Sequence, residues 1–243
     1  MLEAREAGGV RPLSSVLKTL QLLDLLGKSD RPMKLMELAA ASGSSRATTY
    51  QKLLTLMEAG WLEQTDQGSY RLSLHAALVG ETALVQANLG ERFAHVMQEM
   101  VLQVGETASL AVLNGNCVRL VRRVEAQQVA VRADVKVGTL LSLNDSSSGR
   151  VLTAFSSPAY REMLQRQGAV LARPAMLKEI TAQGYAVSEG TDTPGVQSVA
   201  MPVFDAKGAC IAALSLVTPA SRFDPDKLIG PLRAAVQTLN QLK

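Results

Sequence analysis

Between residues 15 and 26, Val16, Leu17, Leu20, Leu23 and Leu26 recur at steps of three and four, the period of an α-helix with one apolar face. Ser14 can cap this segment and Gly27 suits a left-handed stop, so the spacing predicts a helix over 15–26. After the breaker Ser29-Asp30-Arg31-Pro32, a short helix is predicted over 34–41, with Leu35, Leu38 and Ala39 on one face, closing at Ser42-Gly43-Ser44. A third helix is predicted over 45–58 with Ala47, Tyr50, Leu53, Leu54 and Met57 inward and Gly60 as its end. Its outward face reads Ser45, Arg46, Thr48, Thr49, Gln51, Lys52 and Thr55. Two short strands, 61–65 and 69–72, flank Asp66-Gln67-Gly68 as a hairpin that Trp61 and Tyr70 pack onto the third helix.

The run 74–87, with Leu74, Leu78, Thr82 and Val85 on one side, predicts a helix that joins two domains or meets a second subunit; a core helix is the competing reading. Beyond it come a helix over 91–104 and strands over 107–113 and 117–124, joined by the hairpin signal Asn114-Gly115-Asn116. A third strand is predicted over 128–135, helices over 148–155, 158–167 and 174–183, strands over 185–188, 197–204 and 210–217, and a final helix over 224–242. Strands flanked by helices without strict βαβ alternation indicate an α+β fold. The expected division is 1–72, a linker helix over 73–89, and 90–243.

Composition narrows the chemistry. The chain has 243 residues, 47% hydrophobic and 19% charged, enough for one or two domains with real cores. No apolar run reaches the roughly 20 residues of a membrane-spanning helix, and Glu3, Arg5 and Glu6 break any secretory leader, so a cytoplasmic protein is expected. Cys117 and Cys210 read as buried structural thiols, and with His75 and His95 the only histidines, no metal site or catalytic triad is expected. Net charge is only +3, yet residues 11–52 hold seven cations against three carboxylates, a net +4.

A short helix, a tight turn and a longer helix followed by a hairpin is the winged helix-turn-helix order. Arg46 and Gln51 can make bidentate contacts to guanine and adenine, while Ser45, Thr48 and Thr49 can reach phosphates. Gln67, Ser69 and Arg71 on the hairpin are further phosphate contacts, with Arg11 and Lys52 completing the basic set. A merely solvated helix face is the alternative. In the second half, the stretch 144–149 (Asn-Asp-Ser-Ser-Ser-Gly) precedes an apolar helix, offering either an anion site or an ordinary cap. Ser188, Ser198 and Ser215 fall on or beside strands expected to be neighbours.

Leu13-Ser14-Ser15-Val16-Leu17, the segment 43–56, Gly60-Trp61-Leu62 and Tyr70-Arg71-Leu72, then Val137-Gly138-Thr139, Ser148-Gly149-Arg150, Gly184-Tyr185, Gly195-Val196, Ala200-Met201-Pro202-Val203 and Ala213-Leu214-Ser215 resemble, in order, the isocitrate lyase regulator (IclR) family of bacterial transcription regulators. The resemblance implies a C-terminal GAF-like effector-binding domain, double-stranded operator DNA as partner, a homodimer or dimer of dimers, and a small carboxylate effector without other cofactors. It also implies that the amides of Ser147 and Ser148 bind the anion and that Ser188, Ser198 and Ser215 form the polar wall. With no lysine or arginine evidently facing inward, neutral donors should hold the acid; Arg132 and Arg150 are the cations most able to change this, Arg150 being expected to point outward. Ala47 stands where the family usually has Ser, Gln51 where it has Arg, and Ser147 and Ser148 where it has smaller residues. An enzyme with a serine-rich site is the runner-up, weakened by the absence of a base beside those serines. A protein-interaction module that never contacts DNA comes third.

Overall fold

The computed structural model describes residues 11–86, 89–126, 135–190 and 195–241. The chain divides into two compact units, Met1–Asn88 and Leu89–Lys243.

In the first unit α1 (Ser14–Gly27), α2 (Leu35–Ser42) and α3 (Arg46–Glu58) are followed by β1 (Leu62–Gln64), β2 (Tyr70–Leu72) and α4 (Leu74–Gln86). Leu22, Leu26, Leu38, Leu53, Leu56, Leu62 and Tyr70 pack into one core. Gly43, at φ +62°, turns the chain out of α2, and Ser45 caps α3 by accepting from the Thr48 amide at 3.2 Å. The antiparallel β1–β2 pair is the wing. Besides the burial of Leu62 and Tyr70, its root is fastened by main chain: Met33 N donates to Tyr70 O at 2.9 Å and Tyr70 N to Met33 O at 2.7 Å.

Several expectations are corrected here. α1 begins at Ser14 with no side-chain cap and ends through Lys28 at φ −92°, so Gly27 is not a left-handed stop. Val16, Leu17 and Leu20 are about half exposed, at 48%, 56% and 48%, while Leu22 and Leu26 enter the core. α3 is likewise rotated from its predicted setting: Thr49, Leu53 and Leu56 are buried, whereas Ala47, Tyr50 and Leu54 are exposed. Thr49 tolerates burial because its hydroxyl donates to Ser45 O at 3.0 Å. Trp61 meets His75 edge-on, with ring centroids 5.0 Å apart, and also packs against the core cluster in which Tyr70 joins Leu53 and Leu56 of α3, as expected of the two aromatics. α4 buries none of its residues, which rules out the core-helix alternative within this unit.

The second unit contains α5 (Glu91–Val104), β3 (Thr107–Asn114), β4 (Cys117–Val124), β5 (Leu140–Leu141), α6 (Ser147–Ala154), α7 (Pro158–Arg166), α8 (Pro174–Gln183), β6 (Ala186–Ser188), β7 (Val196–Phe204), β8 (Cys210–Pro219) and α9 (Pro225–Gln241). Six strands form one antiparallel sheet in the order β5-β4-β3-β8-β7-β6. β5 was not foreseen, and residues 128–134 of the expected third strand lie outside the described residues.

Alternation divides the sheet into two unlike faces. One carries Leu110, Leu214, Leu216, Val199, Met201 and Val203, all buried, and α5 and α9 pack together over these strands. The other carries Ala111, Ala186, Ala200 and Ala213, with Ser109, Ser188, Ser198 and Ser215, and α6 lies against it. Alanines and serines do not fill the gap between sheet and helix. That shortfall of side-chain volume is what leaves a cavity.

Candidate functional site

The exposed face of α3 holds Arg46, Thr48 and Gln51, with Lys52 half-exposed beside them. Ser45 and Thr48 are joined, hydroxyl to hydroxyl, at 2.9 Å, which preorders the first turn of α3. Thr49 is removed from this set, being fully buried with its hydroxyl already bonded. Ser69 is buried too and leaves the wing surface, whereas Gln67 stands exposed at the tip. Arg71 is exposed but folds back onto Glu63, Nε at 3.1 Å and a terminal nitrogen at 2.8 Å from the same oxygen. Arg31 is paired as well: it and the Lys34 amide hold the Glu37 carboxyl down at about 2. Arg11 is exposed just ahead of α1.

In the second unit a cavity of about 80 Å³ lies between the small-residue face of the sheet and the N-terminus of α6. Ser146 caps that helix, its Oγ accepting from the Gly149 amide at 2.9 Å, so α6 begins one residue earlier than predicted. The first-turn amides of Ser147 and Ser148 have no partners inside the helix, and both residues line the cavity. Gly149 permits the close approach: a Cβ there would stand 2.1 Å from Ser142 O.

The predicted wall residues come together. Ser198 Oγ lies 2.7 Å from Ser147 Oγ and 2.8 Å from Ser188 Oγ, a chain of three hydroxyls linking α6, β7 and β6. Ser215 lines the same cavity and donates to Ser109 O at 3.2 Å. Ser148 is buried there as well.

Asp145 and Ser146, within the stretch singled out as an anion site, line the cavity; sequence reasoning missed two polar lining residues, Ser109 and Arg123. Ser109 is 4% exposed and its hydroxyl has no hydrogen-bond partner. Arg123 sits opposite Ser109 in the β3–β4 register, its side chain only 9% exposed, with Nε 3.4 Å from Glu125 Oε1. The expectation that the cavity has no inward cation is therefore wrong, since a register that a bulge shifts between Leu110 and Ala111 cannot be read from sequence. Asp145 accepts from Ser142 Oγ at 2.9 Å and Asn144 Nδ2 at 3.1 Å. Arg150 does not point outward either; it donates to Asn144 O at 2.5 Å and Val187 O at 2.7 Å, tying α6 to β6. Cys117 and Cys210 are each only partly buried, though burial still pushes the Cys210 thiol up to about 12. Among the described residues no cluster of His, Cys, Asp and Glu could hold a metal, and no helix is long and apolar enough to cross a membrane.

Comparison with known proteins agrees with both halves. The family described as "Bacterial transcriptional regulator IclR C-terminal" matches residues 81–241, and the "IclR helix-turn-helix domain" matches residues 15–66. The transcriptional regulator BhcR of Paracoccus denitrificans is 28% identical, over 99% of this chain and 89% of its own length. Among solved structures, HmgR of Pseudomonas aeruginosa is 29% identical with a TM-score of 0.76, covering 93% of this chain and 99% of that one. An IclR homologue from Microbacterium hydrocarbonoxydans, solved with 4-hydroxybenzoate, shares the fold at a TM-score of 0.78 and 23% identity, covering 93% of this chain and 98% of its own. The α+β architecture, a winged helix-turn-helix followed by a GAF-like sheet, is that of these regulators. This chain belongs to the IclR family of transcriptional regulators, with a helix-turn-helix DNA-binding domain and a C-terminal effector domain.

Proposed function

We propose that this protein binds operator DNA as a homodimer, or a dimer of dimers, and that a small organic acid in the α6 cavity changes that binding. The observation that carries the effector half is the meeting of helix-terminal amides with buried hydroxyls around one small cavity. Such a site favours negative charge through the helix dipole and its free N–H groups. Its size, well below the roughly 300–1,000 Å³ of pockets for drug-sized ligands, favours a compact acid. The Microbacterium homologue's 4-hydroxybenzoate is a carboxylate too, in a related fold.

For DNA, Arg46 and Gln51 are the base-reading residues, and Arg11, Ser45, Thr48, Lys52, Gln67 and Arg71 position the backbone. Arg71 exchanges its Glu63 partner for phosphate on binding. The dimer follows from apolar surface left uncovered: Leu13, Val16, Leu17 and Leu20 on and before α1, and Leu74, Leu78 and Val85 on α4. Residues 73–89 act as the linker between the two functions, and the protein works in the cytoplasm beside the chromosome.

The test is fluorescence anisotropy with DNA from upstream of the protein's own coding sequence, with and without a panel of mono- and dicarboxylates. A near-palindromic footprint and a change of affinity with at least one acid are expected. Specific binding by a monomer, or indifference to every acid, would refute the corresponding half.

A further inference from the structure

The hydroxyl chain by itself is a poor carboxylate anchor. Three hydroxyls carry three protons, and the two bonds among Ser147, Ser198 and Ser188 use two of them, leaving one proton to donate and several lone pairs to accept. A carboxylate asks for several donors; a hydroxyl or carbonyl oxygen asks for one. Besides the first-turn amides of α6, which offer the partial charge of a helix end, the cavity lining holds one full cation. Arg123 of β4 and Ser109 of β3 are cross-strand partners on the cavity side, and Ser109 holds a buried hydroxyl with nothing to bond. A buried hydroxyl left without a partner is costly, so its position facing a cavity points to an occupant that supplies the missing acceptor.

Resting on the organic-acid reading above, we propose that Arg123 and Ser109 bind the effector's carboxylate while the Ser147–Ser198–Ser188 chain receives a second oxygen at its far end. The strand order sets the span. Arg123 on β4 and Ser198 on β7 are three strand spacings apart, about 14 Å between backbones before the side chains reach inward. The two polar ends are therefore separated by several bonds of ligand, and Leu120, Leu141, Val196 and Val217 line the apolar middle. Charge selects further. Asp145 lines the cavity, and the serine chain brings no cation with it. A second carboxylate at that end would find one hydroxyl proton and the partial charge of a helix end but no lining cation, with Asp145 in the same cavity, so the effector is a monocarboxylic acid with a terminal or near-terminal hydroxyl or carbonyl.

Calorimetry on the full-length protein tests this with 3-hydroxypropionate, 4-hydroxybutyrate and 5-hydroxyvalerate against butyrate, succinate and 1,4-butanediol. The best hydroxy acid is expected to bind about tenfold or more tightly than butyrate, succinate or the diol. Arg123→Gln should weaken it by about 10- to 100-fold, and Ser109→Ala by about 5- to 10-fold. Ser109→Ala removes one hydroxyl without touching the charge, so it reports even if Arg123→Gln does not fold. Tightest binding by succinate or butanediol overturns the assignment. So does a hydroxy acid that Ser198→Ala weakens while Arg123→Gln and Ser109→Ala leave it unchanged, an outcome that spares the broader organic-acid reading. If none of the acids binds, and none alters operator binding, that broader reading falls with it.

Discussion

Replacing Gly149 by alanine tests how α6 is seated, because the added Cβ would lie 2.1 Å from Ser142 O, 2.8 Å from Leu143 Cα and 2.9 Å from Ser146 Oγ. The first distance is about 1.2 Å inside the roughly 3.3 Å at which carbon and oxygen normally meet. Two of the three obstructing atoms belong to the backbone and cannot rotate aside. Either the 142–146 loop or the first turn of α6 must shift by about that amount, and overpacking of this kind costs on the order of 3 kcal/mol. In a unit of this size each kcal/mol lowers the melting temperature by about 2–4 °C, so the second unit should melt roughly 6–12 °C early. The same shift moves the Ser147 and Ser148 amides and parts Ser147 from Ser198, so effector affinity should fall in parallel. Differential scanning calorimetry reads the first effect and titration of the best acid the second. Gly230→Ala is the control: it lies in α9 with nothing within 4 Å of an added Cβ, and should be neutral or stabilising by up to about 1 kcal/mol. A Gly149→Ala protein melting within about 1 °C of wild type and binding the acid normally would refute the close-packing argument.

Arg46→Ala should weaken operator binding by about 1–3 kcal/mol if it reads a guanine, or lower the salt slope by about one if it contacts phosphate. Thr49→Val, by contrast, should cost roughly 0.5–1.5 kcal/mol of stability with operator preference intact; anisotropy and thermal melts separate the two. Leu17→Glu with Leu78→Glu should convert the dimer to monomer in sedimentation velocity while leaving the core of the first unit folded, because both positions are more than half exposed. In a Cys117→Ser background, Cys210 should resist iodoacetamide at pH 8 until denaturant is added, because burial keeps it a thiol and only the thiolate reacts; prompt alkylation of the folded protein would contradict this.

Local spacing carried much of the architecture. The short helix, the Gly43 turn, the wing and the Asn114-Gly115-Asn116 hairpin are written in neighbouring residues, and each formed where periodicity and turn chemistry placed it. Ser188, Ser198 and Ser215 share one sheet face because alternation along single strands is itself local. What escaped depends on partners distant in sequence. An apolar stripe does not say what covers it, so Val16, Leu17 and Leu20 looked like core although, of that stripe, Leu26 is buried and Leu22, outside it, joins the core instead. Thr49 looked polar and exposed because its bond to Ser45 O exists only once the helix has formed. Of the adjacent pair Arg122 and Arg123, only the register with Ser109 decides which one meets the cavity. Ser109 itself lies in a strand segment buried on both faces, where alternation leaves no trace.

The main-chain clasp between Met33 and Tyr70 bears on how such a regulator can diversify. The wing is tied to the segment between α1 and α2 by carbonyls, which every residue supplies, and amides, which every residue except proline supplies, together with the buried Tyr70. Side chains at the wing tip, Asp66 and Gln67 among them, contribute nothing to that anchorage and are exposed. Mutations there can accumulate without unfolding the domain, so daughter proteins after gene duplication can drift toward new operators while inheriting an unaltered scaffold.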